Sequence, residues 1–151
     1  MNTSLKAENY PACYEAINES MANAANDSIK SSLYNVTAII NEREGKIEEA
    51  KNNLKESIAL DPKNAKSYFD MGRLLQNEVA AKEDNADDAT RMNVLVPQLK
   101  DAIKYYEKSY DLDDSQTELP GHIYRLYYTL DQNYHLGDEY AQKAKYWEQL
   151  R

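Results

Sequence analysis

The chain is poor in residues that would break helices, bridge disulfides or hold metals. It has 4 glycines and 4 prolines in 151 residues, so each one stands out as a mark of a helix end. It has a single cysteine, Cys13, which excludes an internal disulfide and a cysteine-rich zinc site. With Ala12, Ala16 and Ile17 nearby, Cys13 reads as a small buried apolar residue. The 2 histidines, His122 and His135, are not spaced as a metal pair. No run approaches the roughly 20 apolar residues that span a bilayer. The opening residues, Met1 to Lys6, lack the apolar segment of a signal peptide, so the expected compartment is the cytoplasm, or the periplasm if a signal has been removed. Basic residues are also in deficit. A net charge of −8 argues against a general nucleic-acid binder and against adhesion to anionic lipid.

Abundant Ala, Leu, Glu and Lys favour helix over sheet. A shift of about 34 residues lays Tyr34 on Tyr68 and Ala38 on Gly72. The first copy, residues 31–64, splits at Gly45 into two helical patterns. In the second of these, Ile47, Ala50, Leu54, Ser57 and Ile58 share one face, and Glu48, Glu49, Lys51, Asn52, Lys55 and Glu56 cover the other. Asp61-Pro62 then reads as a stop and restart, with Asp61 capping the next helix and Pro62 in its first turn. The second copy, residues 65–114, opens at Ala65, but its partner helix is displaced to 101–114. There Ala102, Tyr106, Ser109 and Leu112-Asp113 answer Ala50, Leu54, Ser57 and Leu60-Asp61 at one common offset. An insertion near residues 77–100 accounts for the delay.

The insertion reads as two elongated antiparallel helices. Val79 and Ala80 continue the outgoing helix, Glu83-Asp84-Asn85 forms a turn, and Asp87 or Asp88 caps the return. Met92, Leu95, Val96 and Leu99 give the return helix an apolar side, and Pro97 should kink it or start it afresh. A third, degenerate copy occupies 117–151: Leu119-Pro120-Gly121 opens a helix carrying Ile123, Tyr124, Tyr127 and Leu130. Gly137 breaks the chain before a last helix with Tyr140, Ala144, Trp147 and Leu150 on one side. Residues 9–24 form a lone helix with Tyr10, Cys13, Ile17, Ser20 and Met21 on one face, and only eight, mostly polar, residues stand ahead of it where a partner helix is due.

These residues resemble the tetratricopeptide repeat (TPR) family. The family's slots are met by Tyr34, Ala38, Ala50, Leu54, Ser57 and Pro62, and again by Tyr68, Met71, Gly72, Ala102, Tyr106 and Ser109. Small residues at such slots let paired helices approach, and large ones fill the space between them. Thr37, Asn41 and Asp114 depart from the family pattern. The elongated helix pair resembles TPR proteins of the Bacteroidetes type. The implied fold is all-α: a TPR-type α-α superhelix, or solenoid, of about seven antiparallel helices.

In this family the first helices of the repeats line a groove that holds a partner. The resemblance places Asn35, Val36, Ile39, Glu42 and Arg43 there from the first copy. The second contributes Lys66, Phe69, Asp70, Arg73, Gln76 and Asn77, and the third His122, Arg125, Tyr128 and Thr129. Ile39 and Phe69 are the apolar anchors, and Arg73 and Arg125 form a basic patch suited to a carboxylate unless Asp70 neutralises Arg73. The carboxylate clamp some members use for chaperone tails is missing. No glycine-rich phosphate loop, activated nucleophile or metal motif is present, so the expectation is a non-enzymatic adaptor without cofactor, binding a protein or peptide. The 13 tyrosines suit such a surface. The alternatives are a self-assembling segment that meets a second copy of the chain, and an accessory domain of a larger protein.

Overall fold

A computed structural model describes residues 9–151, and all regular structure in that range is helical. The helices are α1 (Tyr10–Ala22), α2 (Asp27–Arg43), α3 (Ile47–Leu60), α4 (Ala65–Glu83), a short α5 (Asp88–Thr90), α6 (Val96–Leu112), α7 (Leu119–Gln132) and α8 (Asp138–Glu148). A π-helical turn, Arg91–Leu95, joins α5 to α6, so the stretch from Asp88 to Leu112 is one rod and the described residues hold seven. The expectation of a missing helix ahead of α1 concerns residues 1–8, which lie outside the described range. The chain divides into two compact units, Met1–Ser67 and Tyr68–Arg151.

In the first unit, Asn9 caps α1 and Asn26 caps α2, each side-chain oxygen accepting from the backbone N–H three residues on. Gly45, at φ +77°, takes the left-handed conformation that ends α2 and lets α3 turn back against it. Ala38, Ile40, Ala50 and Leu54 form the apolar contact. Beside it Ser31, Ser57 and Ser67 are fully buried. Ser57 Oγ donates to Ser31 O at 2.7 Å and lies 2.9 Å from Ser31 Oγ and 2.6 Å from Ser67 Oγ. Asn64 donates to Ser31 Oγ at 2.9 Å and Asn35 to Ser67 Oγ at 3.2 Å. Small hydroxyls let the backbones close in while satisfying one another, so burial leaves no lone polar group here.

Asn41, which departs from the family pattern, is buried in a second network: it donates to Tyr14 Oη at 2.6 Å and accepts from Asn53 at 2.7 Å. Tyr14 in turn donates to Glu44. Burial and the facing Glu44 carboxylate push the Tyr14 hydroxyl up to about 12, so it remains a donor at neutral pH. No residue of α1 is buried. Cys13 is therefore half-exposed on α1 rather than packed inside, because α1 leans on α2 through the Tyr14 contacts without being enclosed.

The turn after α3 differs from expectation. Asp61 ends α3 and accepts from Lys63 N at 3.1 Å, and Asn64 is the residue that caps α4, accepting from Ser67 N at 3.3 Å. Pro62 lies in the turn rather than in the first turn of α4. The second copy repeats this geometry without proline: Asp113 accepts from Ser115 N at 3.1 Å, and its own N–H reaches Ser109 O at 3.0 Å, as Asp61 N reaches Ser57 O at 3.0 Å. The aspartate, not the proline, shapes the turn. Asp61→Ala and Asp113→Ala are each expected to cost about 1 kcal/mol, and Pro62→Ala less than half of that, read as urea midpoints.

In the second unit, the contact of α4 with α6 rests on a glycine. A Cβ on Gly72 would stand 2.9 Å from Tyr106 Cδ1 and 3.1 Å from Ala102 O. The small–large–small slots of α6, Ala102, Tyr106 and Ser109, are all buried, as are Met71 and Leu74 on α4. The core continues through Val79, Leu95, Val96, Leu99 and Ile103 to Leu119, Ile123, Leu126, Leu130 and Trp147. Asp87 caps α5, accepting from Thr90 N at 2.7 Å. Pro97 starts the α-helix afresh, as expected: α6 opens at Val96 with Pro97 in its first turn, directly after the π-helical stretch. Proline lacks the N–H for the usual bond and crowds the carbonyl four residues back, and the preceding turn widens to the π form. Widening moves Met92 out of the apolar side: it is 45 % exposed, whereas Leu95, Val96 and Leu99 are buried. The hairpin tip is tied to the segment after α7 by Tyr134, whose hydroxyl donates to Glu83, and is closed on itself by Arg91, which donates to Glu83 O at 3.2 Å.

Candidate functional site

The residues expected to face a partner fall into three groups. In the first unit, Arg43 is exposed in the last turn of α2, Lys66 is exposed at the start of α4, and Ile39 is half-buried. Asn35 corrects the expectation: it is 2 % exposed and bonded to Ser67, so its amide serves the serine cluster and presents nothing to a ligand. In the second unit Asp70 is corrected in the same way. It is 4 % exposed and pairs with Arg73 one turn on, Nη2 to Oδ1 at 3.5 Å. The basic patch is weaker than the sequence suggests, since Arg73 meets Asp70 and Arg125 donates to Gly121 O at 3.2 Å.

The structure brings Phe69 and His122 together. Phe69 on α4 lies half-buried, its ring centroid 5.6 Å from Tyr106 and 6.4 Å, edge-on, from His122 on α7. His122 stacks on Tyr106 at 6.1 Å. Tyr106 itself is enclosed and donates to Gln76 at 2.8 Å. Burial above all, with Asp70 adding and Arg73 opposing, pushes its hydroxyl up to about 12. A recess of about 330 Å³ opens beside Phe69, walled by the turn residues Ser115, Gln116, Thr117 and Glu118 and floored by Leu119. Asn77 is exposed farther along α4, and Tyr128 is half-exposed on α7 with its ring 5.9 Å from Tyr124.

Desolvation, helped by Arg125 and opposed by Glu118, holds the His122 imidazole below its ordinary value of 6.5. A histidine with a depressed folded-state value is destabilising when charged. The unfolded chain then binds more protons below pH 6.5, so this contribution is complete above that pH and is lost as pH falls. Denaturant midpoints of the wild type are expected to fall more steeply between pH 6.5 and 5 than those of His122→Phe.

Sequence reasoning missed two clusters. Tyr106 was visible only as a packing residue, although it underlies both Phe69 and His122. A second recess is bounded by Lys100 and Lys104 on α6, Tyr127 on α7, and Tyr140 and Lys143 on α8. The i, i+4 spacing of Lys100 and Lys104 and the i, i+3 spacing of Tyr140 and Lys143 were legible as faces, but not their convergence. Among the described residues no group of three or more His, Cys, Asp or Glu is arranged to hold a metal ion, and no helix is long and apolar enough to cross a membrane.

No protein-family model matches the chain, and no curated protein matches it by sequence. Solved structures do. A monomeric mutant of IFIT1 with m7Gppp-AAAA shares 17 % identity at a TM-score of 0.70 over 90 % of this chain. A second IFIT1 monomeric mutant, with Gppp-AAAA, aligns equally well. The human IFIT1 dimer with m7Gppp-AAAA shares 15 % identity at a TM-score of 0.63 over 86 % of the chain. The chain spans 28 % and 26 % of the length of those proteins. The likeness establishes the fold: all-α, a helical repeat of the TPR-like solenoid class.

Proposed function

We propose that the chain is a non-catalytic binding scaffold whose second unit holds an extended peptide segment of a partner protein, with Phe69 as the anchor. One observation carries this reading. Phe69 rests half-buried on Tyr106 and His122 beside an open recess, so an incoming apolar side chain would complete the burial of a ring already held in place. Around it the Ser115 hydroxyl is held by Asp113 and the Gln116 amide by Ser109 and Asp113, which leaves the Thr117 hydroxyl to meet a peptide backbone. The IFIT1 structures carry capped RNA fragments, but an acidic chain of net charge −8 repels phosphodiesters, which favours a peptide here.

The test is capture of partners from lysate, with mass spectrometry, by the wild type and by Phe69→Lys. The lysine stem can still cover Tyr106 while its ammonium reaches water. Loss of the captured set in the variant, with Trp147 fluorescence unchanged, is the expected result. Persistence of the same partners rejects Phe69 as the anchor. A labelled capped oligonucleotide forms the second arm, and saturable binding of it in preference to any peptide would replace this reading with RNA recognition. A second copy of the chain is the alternative partner, since Tyr146, Tyr128 and Leu150 are exposed on α7 and beyond. Concentration-dependent mass by light scattering would favour it.

A further inference from the structure

Three lysines converge on one cavity of an otherwise acidic chain. Helices α6, α7 and α8 enclose a space of about 210 Å³, floored by the buried Ile103. Lys100 Nζ sits 5.2 Å from the centroid of the Tyr140 ring. Lys143 Nζ is 5.6 Å from Tyr127 and 5.8 Å from Tyr140. The two rings thus hold two ammonium groups at the cavity by cation–π attraction, and Lys104 completes the set one turn along α6.

We propose that this pocket binds a phosphate monoester. The charge around it is the first reason. The one carboxylate in the lining, Glu107, already accepts the Tyr127 hydroxyl at 2.7 Å, which leaves three positive groups against one negative. Just outside, Lys104 meets Asp101 at 3.6 Å and Lys143 meets Glu139 at 2.7 Å. Both pairs are open to solvent, where such contacts are weak and yield to a better anion. Lys100 lies over the Tyr140 ring and acts on the Glu139 carboxylate only at longer range, since among the described residues it is in no contact ion pair. The number of donors is the second reason. A monoester carries close to two negative charges at neutral pH and three terminal oxygens, one for each ammonium. A carboxylate offers two oxygens and one charge, and a phosphodiester one charge. The tyrosine rings flank the opening and would take the first carbons of the ester stem. None of these residues belongs to the proposed peptide anchor, so either reading can fail without the other.

The probes are inorganic phosphate, phosphoserine, phosphotyrosine and a short unphosphorylated-end RNA, each titrated into ¹⁵N-labelled protein at constant ionic strength. The expected result is saturable amide shifts confined to α6, the Tyr127 region of α7, and α8. Affinity for inorganic phosphate should fall at least fivefold in both Lys100→Gln and Lys143→Gln and be retained in Lys100→Arg, with the rest of the spectrum unmoved. Equal affinity for phosphate and phosphoserine assigns recognition to the head group, and tighter binding of phosphotyrosine adds the rings; both support the pocket. Shifts that never saturate, that scatter over unrelated lysines, or that are unchanged in the glutamine variants overturn the proposal. So does saturable binding of the RNA alone.

Discussion

Tyr106→Ala is expected to lower stability by about 4 kcal/mol, the cost of emptying a large aromatic site in a close-packed core. In a chain of this size that corresponds to a fall in Tm of roughly 8–16 °C. The side chain is fully enclosed, supports Phe69 and His122, and lies against Gly72. Trp147, the only tryptophan, belongs to the same core and reports the transition by fluorescence. Tyr106→Phe separates the polar part: it loses only the bond to Gln76 and should cost about 1 kcal/mol. Coupling to the glycine sharpens the test. Gly72→Ala gains about 1 kcal/mol of helix propensity but forces a side chain into occupied space, for a net loss of about 1–2 kcal/mol. In a Tyr106→Leu background that loss should shrink, since the ring at 2.9 Å is gone and only Ala102 O at 3.1 Å still crowds the methyl. Additive effects would mean that ring and glycine do not bear on each other.

Ser57→Val is expected to cost about 3 kcal/mol in the first unit, measured by circular dichroism because that unit has no tryptophan. The hydroxyl lies between Ser31 and Ser67, and valine both deletes its bonds and adds bulk where the residue is wholly covered. Ser57→Ala isolates the first effect. Ser31 keeps Asn64 as a donor and Ser67 keeps Asn35, so the loss should be only about 1–2 kcal/mol. Ser57→Thr, which retains the hydroxyl, should fall between alanine and valine only if bulk matters more than bonding. A valine variant as stable as wild type would show that the serine cluster tolerates an apolar centre.

The repeat slots were legible because they follow from periodicity. Ala50 and Ala102, Leu54 and Tyr106, Ser57 and Ser109 stand at matched positions, and all six are buried. Helix ends were legible where glycine or a capping side chain acts within a few residues, as at Gly45 and Asp87, whereas the Asn26 cap of α2 emerged only in the structure. The turn after α3 was misread because Asp61 and Asn64 both suit an N-cap, and backbone geometry alone selects between them. Met92 was misplaced for a related reason: a π turn shifts the helical phase, and nothing in the spacing of apolar residues announces the shift.

The candidate site was less legible than the fold. A helix has a polar side whether that side faces solvent, a neighbouring helix or a ligand. Asn35 and Asp70 look like groove residues in sequence and are interior groups bonded within the protein. Phe69 and His122, 53 residues apart by their numbers, meet only because Tyr106 brings α4 and α7 to one place.

What the sequence determined alone was local or periodic: helix rather than sheet, and the small–large–small faces. Those properties depend on backbone preference and on which residues recur every third or fourth position. Only the tertiary structure decided which polar side chains are satisfied inside, that Tyr106 joins Phe69 to His122, and that Lys100, Lys104 and Lys143 share one cavity. Convergence of side chains from separate helices depends on the angle and depth at which those helices pack, and that is set by the whole core at once.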